Sequence, residues 1–378
     1  MSNSFSKNFE PPKTKMIPVR DTTHNFIFTD FYRWLEDKND PEVLEWSKSQ
    51  HNYTLQWIKD TYPVVKNLKE EIKSLIDRDY RSAPFFKSGR EFFWAKKKGE
   101  QQNKLYTVIK GKEKLIFDPM EFDKSGKSAP TSPAFTKDAS RAAIGLQTQG
   151  SEIYTYRIID TKTGKVLSQP IENIYDWNWC NDEQYAYITI RSRELIEKQE
   201  PLPTYLYKIS DGNDLSKAIF LGAPKDAKDF FSIWDDEESD ITFISEGDFY
   251  SNSLKIRKQG TFDEPQLIYS STKFTSRPQV KHNKIFITTN DNAPNFKIMW
   301  TDIEHPDFQN WRNFYPEQND EVIDGCILTE QYVLVLYKKD IMRHCKALDY
   351  SGKIIQEITP PEFGDIAGIY YEKVSKKI

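Results

Sequence analysis

The sequence has few cysteines and no long apolar run, and each of these features excludes a class of protein. Three cysteines in 378 residues are too few for a disulfide framework, so we expect Cys180, Cys326 and Cys345 to be reduced and buried. No apolar stretch approaches the roughly 18 residues of a membrane span, and the polar N-terminus lacks the apolar core of a signal peptide. The expected location is the cytoplasm, with no membrane partner.

An excess of positive charge is also missing. Lysine and arginine together number 53 against 57 aspartates and glutamates, which leaves a formal charge of −4. A chain without a basic field does not attract a polyanion, so nucleic acid is not an expected partner.

The common catalytic and cofactor motifs are absent. The only glycines four residues apart are Gly364 and Gly368, and Ile366 stands where a nucleophile elbow needs serine. The five histidines have no zinc-ligand spacing, and neither phosphate-binding glycine motif occurs. The residues therefore predict no catalytic, cofactor-binding or metal-binding side chain and no cofactor.

One acidic segment, 235–240, is a candidate for a calcium loop because all six of its side chains carry oxygen. It lacks the glycine and the alternating ligand spacing of such a loop. The segment is therefore interpreted as a solvated turn between two strands.

The first 79 residues have a helical pattern. Asp40 can cap a helix that begins at Pro41, and a stripe of Leu44, Ser47, His51, Leu55 and Ile58 follows at helical spacing. A second stripe of Val65, Leu68, Ile72 and Leu75 follows Pro63. Residues 1–79 are predicted to form an N-terminal helical segment.

Residues 80–378 have the two-residue period of β-strands. Apolar strands begin near Phe92, Ala142, Tyr185, Ile241, Lys284, Tyr332 and Ile366, about 35 to 55 residues apart, and further short strands follow each one. This pattern predicts an all-β, seven-bladed β-propeller with about six full blades and the start of a seventh. The last blade is expected to be incomplete, with a single strand from Ile366 to Tyr371.

The N-terminal string Asp30-Phe31-Tyr32-Arg33-Trp34-Leu35-Glu36-Asp37 resembles the D-P-Y-x-W-L-E-D motif of the prolyl oligopeptidase family of serine peptidases. Phe31 replaces the usual proline. The similarity continues through Phe92-Phe93-Trp94, Leu105-Tyr106, Phe117-Asp118-Pro119 and Gly150-Ser151-Glu152 into the later blades, and so extends over essentially the whole chain.

The resemblance implies a specific function and two partners. Members of the family join a helical segment and a seven-bladed propeller to a C-terminal α/β-hydrolase domain that carries the catalytic triad. This sequence resembles only the first two parts, so no catalytic residue is transferred and no substrate contact is named. The resemblance implies that the propeller restricts an endopeptidase to short peptides, cleaved after proline, and that this chain is inactive without a hydrolase domain or a separate catalytic chain.

Two alternatives remain open. A stand-alone propeller could bind a protein or peptide through one face. A relative that prefers basic residues would have the same architecture. In the family the N-terminal segment packs mostly against the hydrolase domain, so Phe26, Phe28, Phe31, Trp34 and Leu35 are expected to form an interface or to fold onto the propeller.

Overall fold

A computed structural model describes residues 10–62, 67–148, 150–360 and 362–376. The chain divides into two compact units, Met1–Arg78 and Asp79–Ile378. Among the described residues, no helix is both long enough and apolar enough to cross a membrane.

The first unit contains a hairpin and two helices. Strands β1 (Val19–Thr23) and β2 (Phe26–Asp30) pair antiparallel around His24 and Asn25, whose φ angles of 49° and 64° form a tight turn. Helix α1 (Pro41–Thr61) begins as predicted, with Pro41 in its first turn and the Asp40 side chain accepting a hydrogen bond from the Glu42 amide. Helix α2 (Leu68–Ile76) confirms the second predicted stripe, of which Val65, like Pro63, lies outside the described residues.

Much of the apolar surface of this unit is not covered. Phe26 is 71% exposed, Leu55 in α1 is 53% exposed and Leu75 in α2 is 67% exposed. Phe28 and Phe31 are also exposed, whereas Trp34 and Leu35 are half-buried.

The second unit is built of antiparallel strands that form six blades. Blade 1 contains β3 (Tyr80–Arg81), β4 (Phe85–Lys87), β5 (Arg90–Lys96), β6 (Lys104–Ile109) and β7 (Lys112–Phe117). Blade 2 contains β8 (Ser128–Pro130), β9 (Ala134–Phe135), β10 (Arg141–Thr148) and β11 (Tyr154–Asp160). Blade 3 contains β12 (Ile171–Trp179), β13 (Tyr185–Ile190), β14 (Thr204–Lys208) and β15 (Ile219–Gly222), with the short helix α3 (Arg193–Glu197) between β13 and β14.

The remaining blades are regular four-stranded meanders. Blade 4 contains β16 (Phe230–Asp235), β17 (Ile241–Gly247), β18 (Asn252–Lys258) and β19 (Gln266–Ser270). Blade 5 contains β20 (Ser276–Lys281), β21 (Lys284–Thr289), β22 (Lys297–Asp302) and β23 (Arg312–Tyr315). Blade 6 contains β24 (Val322–Leu328), β25 (Val333–Lys339), β26 (Met342–Leu348) and β27 (Ile354–Ile358).

Blades 2 and 3 are joined into one continuous sheet by β12. Near its start, Ile171 and Ile174 pair with Tyr156 and Tyr154 of β11, so this part serves as the outer strand of blade 2. Its second half pairs with β13 as the first strand of blade 3, after a register shift. Asn173, with φ of 61°, lies close to this change of partner, where asparagine tolerates the left-handed backbone better than most residues.

The hydrophobic core lies between neighbouring blades. Phe92 and Phe93 are adjacent in β5, yet they are 0% and 1% exposed, so both faces of this strand are covered. Phe92 belongs to a cluster with Ile144 of blade 2, and Phe243 of blade 4 belongs to another with Ile287 of blade 5. A strand that is covered on both faces has to be apolar along its length, as the Phe92-Phe93-Trp94 run of β5 is.

The first six predicted repeat starts are confirmed as strands β5, β10, β13, β17, β21 and β25. Because β3 and β4 pair with one edge of β5, and β8 and β9 with one edge of β10, we count each of these pairs as one first strand, so that every confirmed start is the second strand of its blade. The predicted strand from Ile366 to Tyr371 is wrong, because none of these residues has strand structure. Ile366 and Ile369 instead pack against Leu334 and Cys345 of blade 6. No strand among the described residues pairs with this segment, so side-chain packing and side-chain hydrogen bonds, such as that from the Arg343 amide to Asp365 at 2.7 Å, hold it at the seventh position.

Candidate functional site

The turns between the first and second strands of the blades bring charged side chains together. We call each of these connections the first turn of its blade. The first turns are 88–89 in blade 1, 136–140 in blade 2, 180–184 in blade 3, 236–240 in blade 4, 282–283 in blade 5 and 329–332 in blade 6. The corresponding turn at the seventh position is 373–376.

The first turn of blade 4 binds lysines from other blades. The Glu237 carboxylate forms an ion pair with Lys87 of blade 1 and lies 3.4 Å from Nζ of Lys373 at the seventh position. The Glu237 backbone carbonyl also accepts a hydrogen bond of 2.7 Å from Nζ of Lys137 in blade 2. A single glutamate therefore contacts three other positions of the ring.

Glu238 extends the same network to blades 5 and 6. Its carboxylate lies 2.8 Å from Nζ of Lys281 in blade 5 and 3.0 Å from Nζ of Lys373. Lys281 in turn lies 3.1 Å from a carboxylate oxygen of Glu330 in blade 6. The Lys281 side chain is 8% exposed, so this lysine is almost completely removed from solvent.

These contacts place the network on the axis of the propeller. Blades 1 and 4 are not neighbours in a ring of seven positions, so Lys87 can reach Glu237 only if the two first turns meet across the centre. We call the six side chains Lys87, Glu237, Glu238, Lys281, Glu330 and Lys373 the hub. The hub contains three cations and three anions, and its formal charges cancel.

The electrostatics of the hub favour the charged form of every group whose pKa is shifted. Burial alone would raise the pKa of Glu237, but the hydrogen bond and charge of Lys87, with the charge of Lys373, outweigh burial and hold that pKa below its ordinary value. The pKa of Glu238 is lowered in the same way against burial, by Lys281 and Lys373. Burial would lower the pKa of Lys281, but the bonds from Glu238 and Glu330 raise it.

Local hydrogen bonds fold the acidic turn so that it points at the axis. The Asp236 side chain accepts hydrogen bonds from the Glu238 amide at 2.9 Å and from the Ser239 hydroxyl at 3.0 Å. The Asp236 carbonyl accepts bonds of 2.7 Å each from the side-chain amides of Asn181 in blade 3 and Gln259 in blade 4. These hydrogen bonds from blade 3 and from within blade 4 fix the conformation of the turn independently of its ion pairs with the lysines.

The interpretation of segment 235–240 as a turn is confirmed, with Glu238 and Asp240 exposed as whole residues, but the turn is only partly solvated. The segment does connect two strands, but the Glu237 and Glu238 side chains are only 35% and 24% exposed and are paired with lysines. Sequence pattern locates a turn without showing whether it faces the rim or the axis. Because lysine nitrogens already occupy these carboxylates, the arrangement suits ion pairing rather than calcium ligation.

A signal for the hub was present in the sequence. Lys87 and Lys281 are each the last residue of a first strand, and Lys373 is at the comparable place after the Ile366–Tyr371 run. Blades 1 and 5 and the seventh position thus carry a lysine before the second strand, whereas blade 4 carries consecutive acids there. An alignment of the repeats on their second strands would have shown that these charges are complementary.

The seventh position is fastened to blade 1 next to the hub. The Glu372 carboxylate accepts hydrogen bonds from the Gly89 amide at 2.9 Å and from the Val374 amide at 3.1 Å. Burial alone would raise the pKa of Glu372, but hydrogen bonds from Ser375, with smaller contributions from Val374 and Gly89, outweigh burial and lower that pKa to about 2. Gly89 has φ of +74° and an added Cβ would lie 3.4 Å from Val374, so glycine suits this contact.

The cysteines and His344 do not form a nucleophilic site. Cys180, Cys326 and Cys345 are all buried, as predicted. Burial raises the pKa of Cys326 and of Cys345 to about 11, which leaves both as neutral thiols. His344 stacks on Tyr337, with ring centroids 5.3 Å apart, on the side of β26 opposite to the neighbouring Cys345.

The chain matches the model of the prolyl oligopeptidase N-terminal β-propeller domain over residues 11–378. This chain belongs to the prolyl oligopeptidase family. The prolyl endopeptidase of Elizabethkingia miricola is 23% identical over 390 residues, which cover 100% of this chain and 54% of that protein. The prolyl endopeptidase of Elizabethkingia meningoseptica is 24% identical and covers 97% of this chain and 53% of that protein.

Solved structures of prolyl oligopeptidases share the fold. A structure from a study of two prolyl endopeptidases superposes with a TM-score of 0.84 at 20% identity and covers 94% of this chain and 53% of its own. Prolyl oligopeptidase B from Galerina marginata, bound to a 35-residue substrate, superposes with a TM-score of 0.79 at 16% identity. The match covers 93% of this chain and 54% of that protein. The chain thus spans about half the length of the relatives that it matches, and the propeller fold predicted from its repeats is confirmed.

Proposed function

We propose that this chain is the non-catalytic propeller part of a prolyl-oligopeptidase-like serine endopeptidase, which hydrolyses short peptides after proline. In this proposal the propeller restricts access to a hydrolase domain, and the chain alone does not hydrolyse peptides. The curated relatives named prolyl endopeptidase, of which the chain matches about half, support the reaction class.

The hub is the observation that carries the access function. Its lysines and glutamates come from blades 1, 4, 5 and 6 and from the seventh position, and they meet on the axis. A chain that threads this end of the propeller would have to separate ion pairs that include a lysine only 8% exposed. Breaking such pairs costs several kcal/mol, so the hub favours closure of the axis to polypeptides at this end.

The exposed apolar surface of the first unit supports a missing partner. Phe26 and Ile27 are 71% and 58% exposed in a two-residue stretch of β2. Monomeric proteins rarely leave such residues clustered in solvent. A hydrolase domain is the partner that the family resemblance implies for this surface.

The first experiment is to measure the intact mass of the polypeptide in the cells that make it, and then to assay the purified natural form. A mass well above 44.5 kDa, with cleavage of a short chromogenic glycyl-proline peptide but not of a folded protein, is the expected result. A chain of 44.5 kDa that hydrolyses this peptide by itself would contradict the proposal. An inactive 44.5 kDa chain would favour a separate catalytic chain or a propeller that acts as a protein- or peptide-binding module.

In the active form, Glu237→Gln and Glu238→Gln together should open the axis and raise cleavage of longer peptides relative to short ones. The matched control is Glu172→Gln, an exposed glutamate at the outer end of β12. An unchanged ratio of long-peptide to short-peptide cleavage in the double variant would contradict closure by the hub.

A further inference from the structure

A second candidate site lies between blades 3 and 4. It is a cavity of about 390 Å³, a volume typical of small-molecule sites. Its walls come from β13, β14 and β15 of blade 3 and from the end of β18 and the following turn in blade 4. The hub does not share its side chains with this cavity.

The cavity contains an arginine without an anionic partner. Nε of Arg257 is buried and has no hydrogen-bond partner, and no ion pair among the described residues includes the Arg257 guanidinium. The Arg257 guanidinium also lies near the ring of Phe262, whose centroid is 5.8 Å away. Arg257 as a whole is half-buried, so it is the Nε atom that is removed from water, and native structures usually supply a partner for a buried donor atom of this kind.

The two carboxylates in the cavity wall are bonded to other groups. Asp235 accepts hydrogen bonds from the Tyr187 hydroxyl at 3.0 Å, the Thr242 hydroxyl at 2.6 Å and the Asn181 amide at 3.0 Å. Asp182 accepts from the backbone amides of Gln184 and Tyr185 at 2.9 and 3.2 Å. These donors hold both aspartates in place without involving the guanidinium.

Most of the remaining wall is apolar or aromatic, and Gln259 and Thr261 add polar side chains to it. Tyr185, Leu206, Ile219 and Phe262 line the cavity, and Ile219 and Phe262 are 50% and 62% exposed at its rim. Cys180 lies at the buried end as a neutral thiol, because burial raises its pKa. A ligand that satisfies this wall has one anionic group for the arginine and an apolar or aromatic body.

We propose that the cavity between blades 3 and 4 binds a monocarboxylate with an aromatic or branched apolar body, and that Arg257 pairs with its carboxylate. A carboxylate matches the planar fork of the guanidinium, and a single negative charge limits repulsion from Asp182 and Asp235. The ligand could be a free organic acid or the C-terminal residue of a peptide, since both present the same chemistry. The site does not depend on peptidase activity.

Isothermal titration calorimetry of the whole chain tests the proposal with 3-phenylpropionate and its neutral amide, 3-phenylpropanamide. We expect the acid to bind at about 1 mM or below and the amide to bind about tenfold more weakly or worse. Acetyl-glycyl-phenylalanine with a free C-terminus and its C-terminal amide form a second pair. Tighter binding of the peptide acid than of 3-phenylpropionate identifies a peptide terminus as the ligand, and the reverse identifies a small acid.

Arg257→Gln should reduce binding of either acid about tenfold or more, whereas Lys258→Gln, which removes an exposed cation one residue away, should leave it unchanged. The comparison of acid with amide on the unmodified chain does not depend on whether the variant folds. Equal binding of acid and amide, or no binding of any of the four compounds, would overturn the proposal. Equal loss in the Arg257 and Lys258 variants would overturn it as well.

Discussion

Replacing Lys281 by methionine tests whether the hub stabilises the propeller. The change keeps most of the side-chain length and removes only the charge. Lys281 bonds to Glu238 at 2.8 Å and to Glu330 at 3.1 Å, and its side chain is 8% exposed. The matched control is Lys284→Met on the other side of the same two-residue turn, where Lys284 pairs with Asp302 at 2.8 Å but is 34% exposed.

The expected loss follows from what each partner retains. Breaking a buried ion pair costs about 3–5 kcal/mol when the remaining charge has no other partner. Glu238 keeps Lys373 at 3.0 Å, and Glu330 is 44% exposed and can be hydrated. We therefore expect Lys281→Met to lower the free energy of unfolding by about 2 kcal/mol. Lys284→Met removes a surface ion pair and the contact of Nζ with the Trp300 ring at 3.7 Å, and should lower the free energy of unfolding by about 1 kcal/mol.

The stability lost in Lys281→Met should decrease as the pH falls. The pKa of Glu238 is lowered in the folded chain, so its contribution to stability is present above the unfolded pKa and is lost as the pH falls through the folded pKa. The difference between the original chain and Lys281→Met should therefore shrink below a pH of about 4. This difference in the free energy of unfolding is measured by urea unfolding at neutral and acid pH, with tryptophan fluorescence as the signal. Equal losses in the two lysine variants, or a loss that does not change with pH, would refute this reasoning.

Two other predictions concern buried groups away from the hub. Lys346 and Glu321 form an ion pair with side chains only 6% and 9% exposed, so Glu321→Gln should lower the free energy of unfolding by about 3 kcal/mol. The control is Glu357→Gln, because Glu357 lies 3.6 Å from the same lysine but is 55% exposed, and this change should lower the free energy of unfolding by less than about 1 kcal/mol. Equal decreases of the urea midpoint in the two variants would contradict a larger contribution from the buried pair. Because their pKa is raised to about 11, Cys326 and Cys345 should not react with iodoacetamide in the native chain at neutral pH, and alkylation as fast as in urea, measured by mass spectrometry, would contradict their burial.

The sequence was most informative where local chemistry determines structure. The capping residue Asp40 and the proline after it placed the start of α1 correctly, because both act within one helical turn. The second strands were found because a strand covered on both faces must be apolar along its whole length, as Phe92 and Phe93 show. The first strands were harder to find, because β4 is only three residues long and β9 only two.

Features that depend on distant partners were not predictable in the same way. The pairing of β12 with two different strands follows from the packing of blade 2 against blade 3, and its alternation of side chains resembles that of an ordinary strand. The cavity around Arg257 depends on which residues of blade 3 face the end of β18. An unpaired arginine in a strand cannot be distinguished from a paired one until its neighbours are known.

The hub also explains how the seventh position is held without strand pairing. Glu372 bonds to Gly89 of the neighbouring blade 1, while Lys373, the next residue, lies 3.0 Å from Glu238 of blade 4 across the axis. Two successive side chains thus join this position to the adjacent blade and to the far side of the ring. Ile369 supplies the apolar contact with blade 6. Lys373 and Lys281 bond to the same acidic turn of blade 4. A change that moves this turn should therefore also displace the seventh position, so closure of the axis and closure of the ring depend on the same contacts.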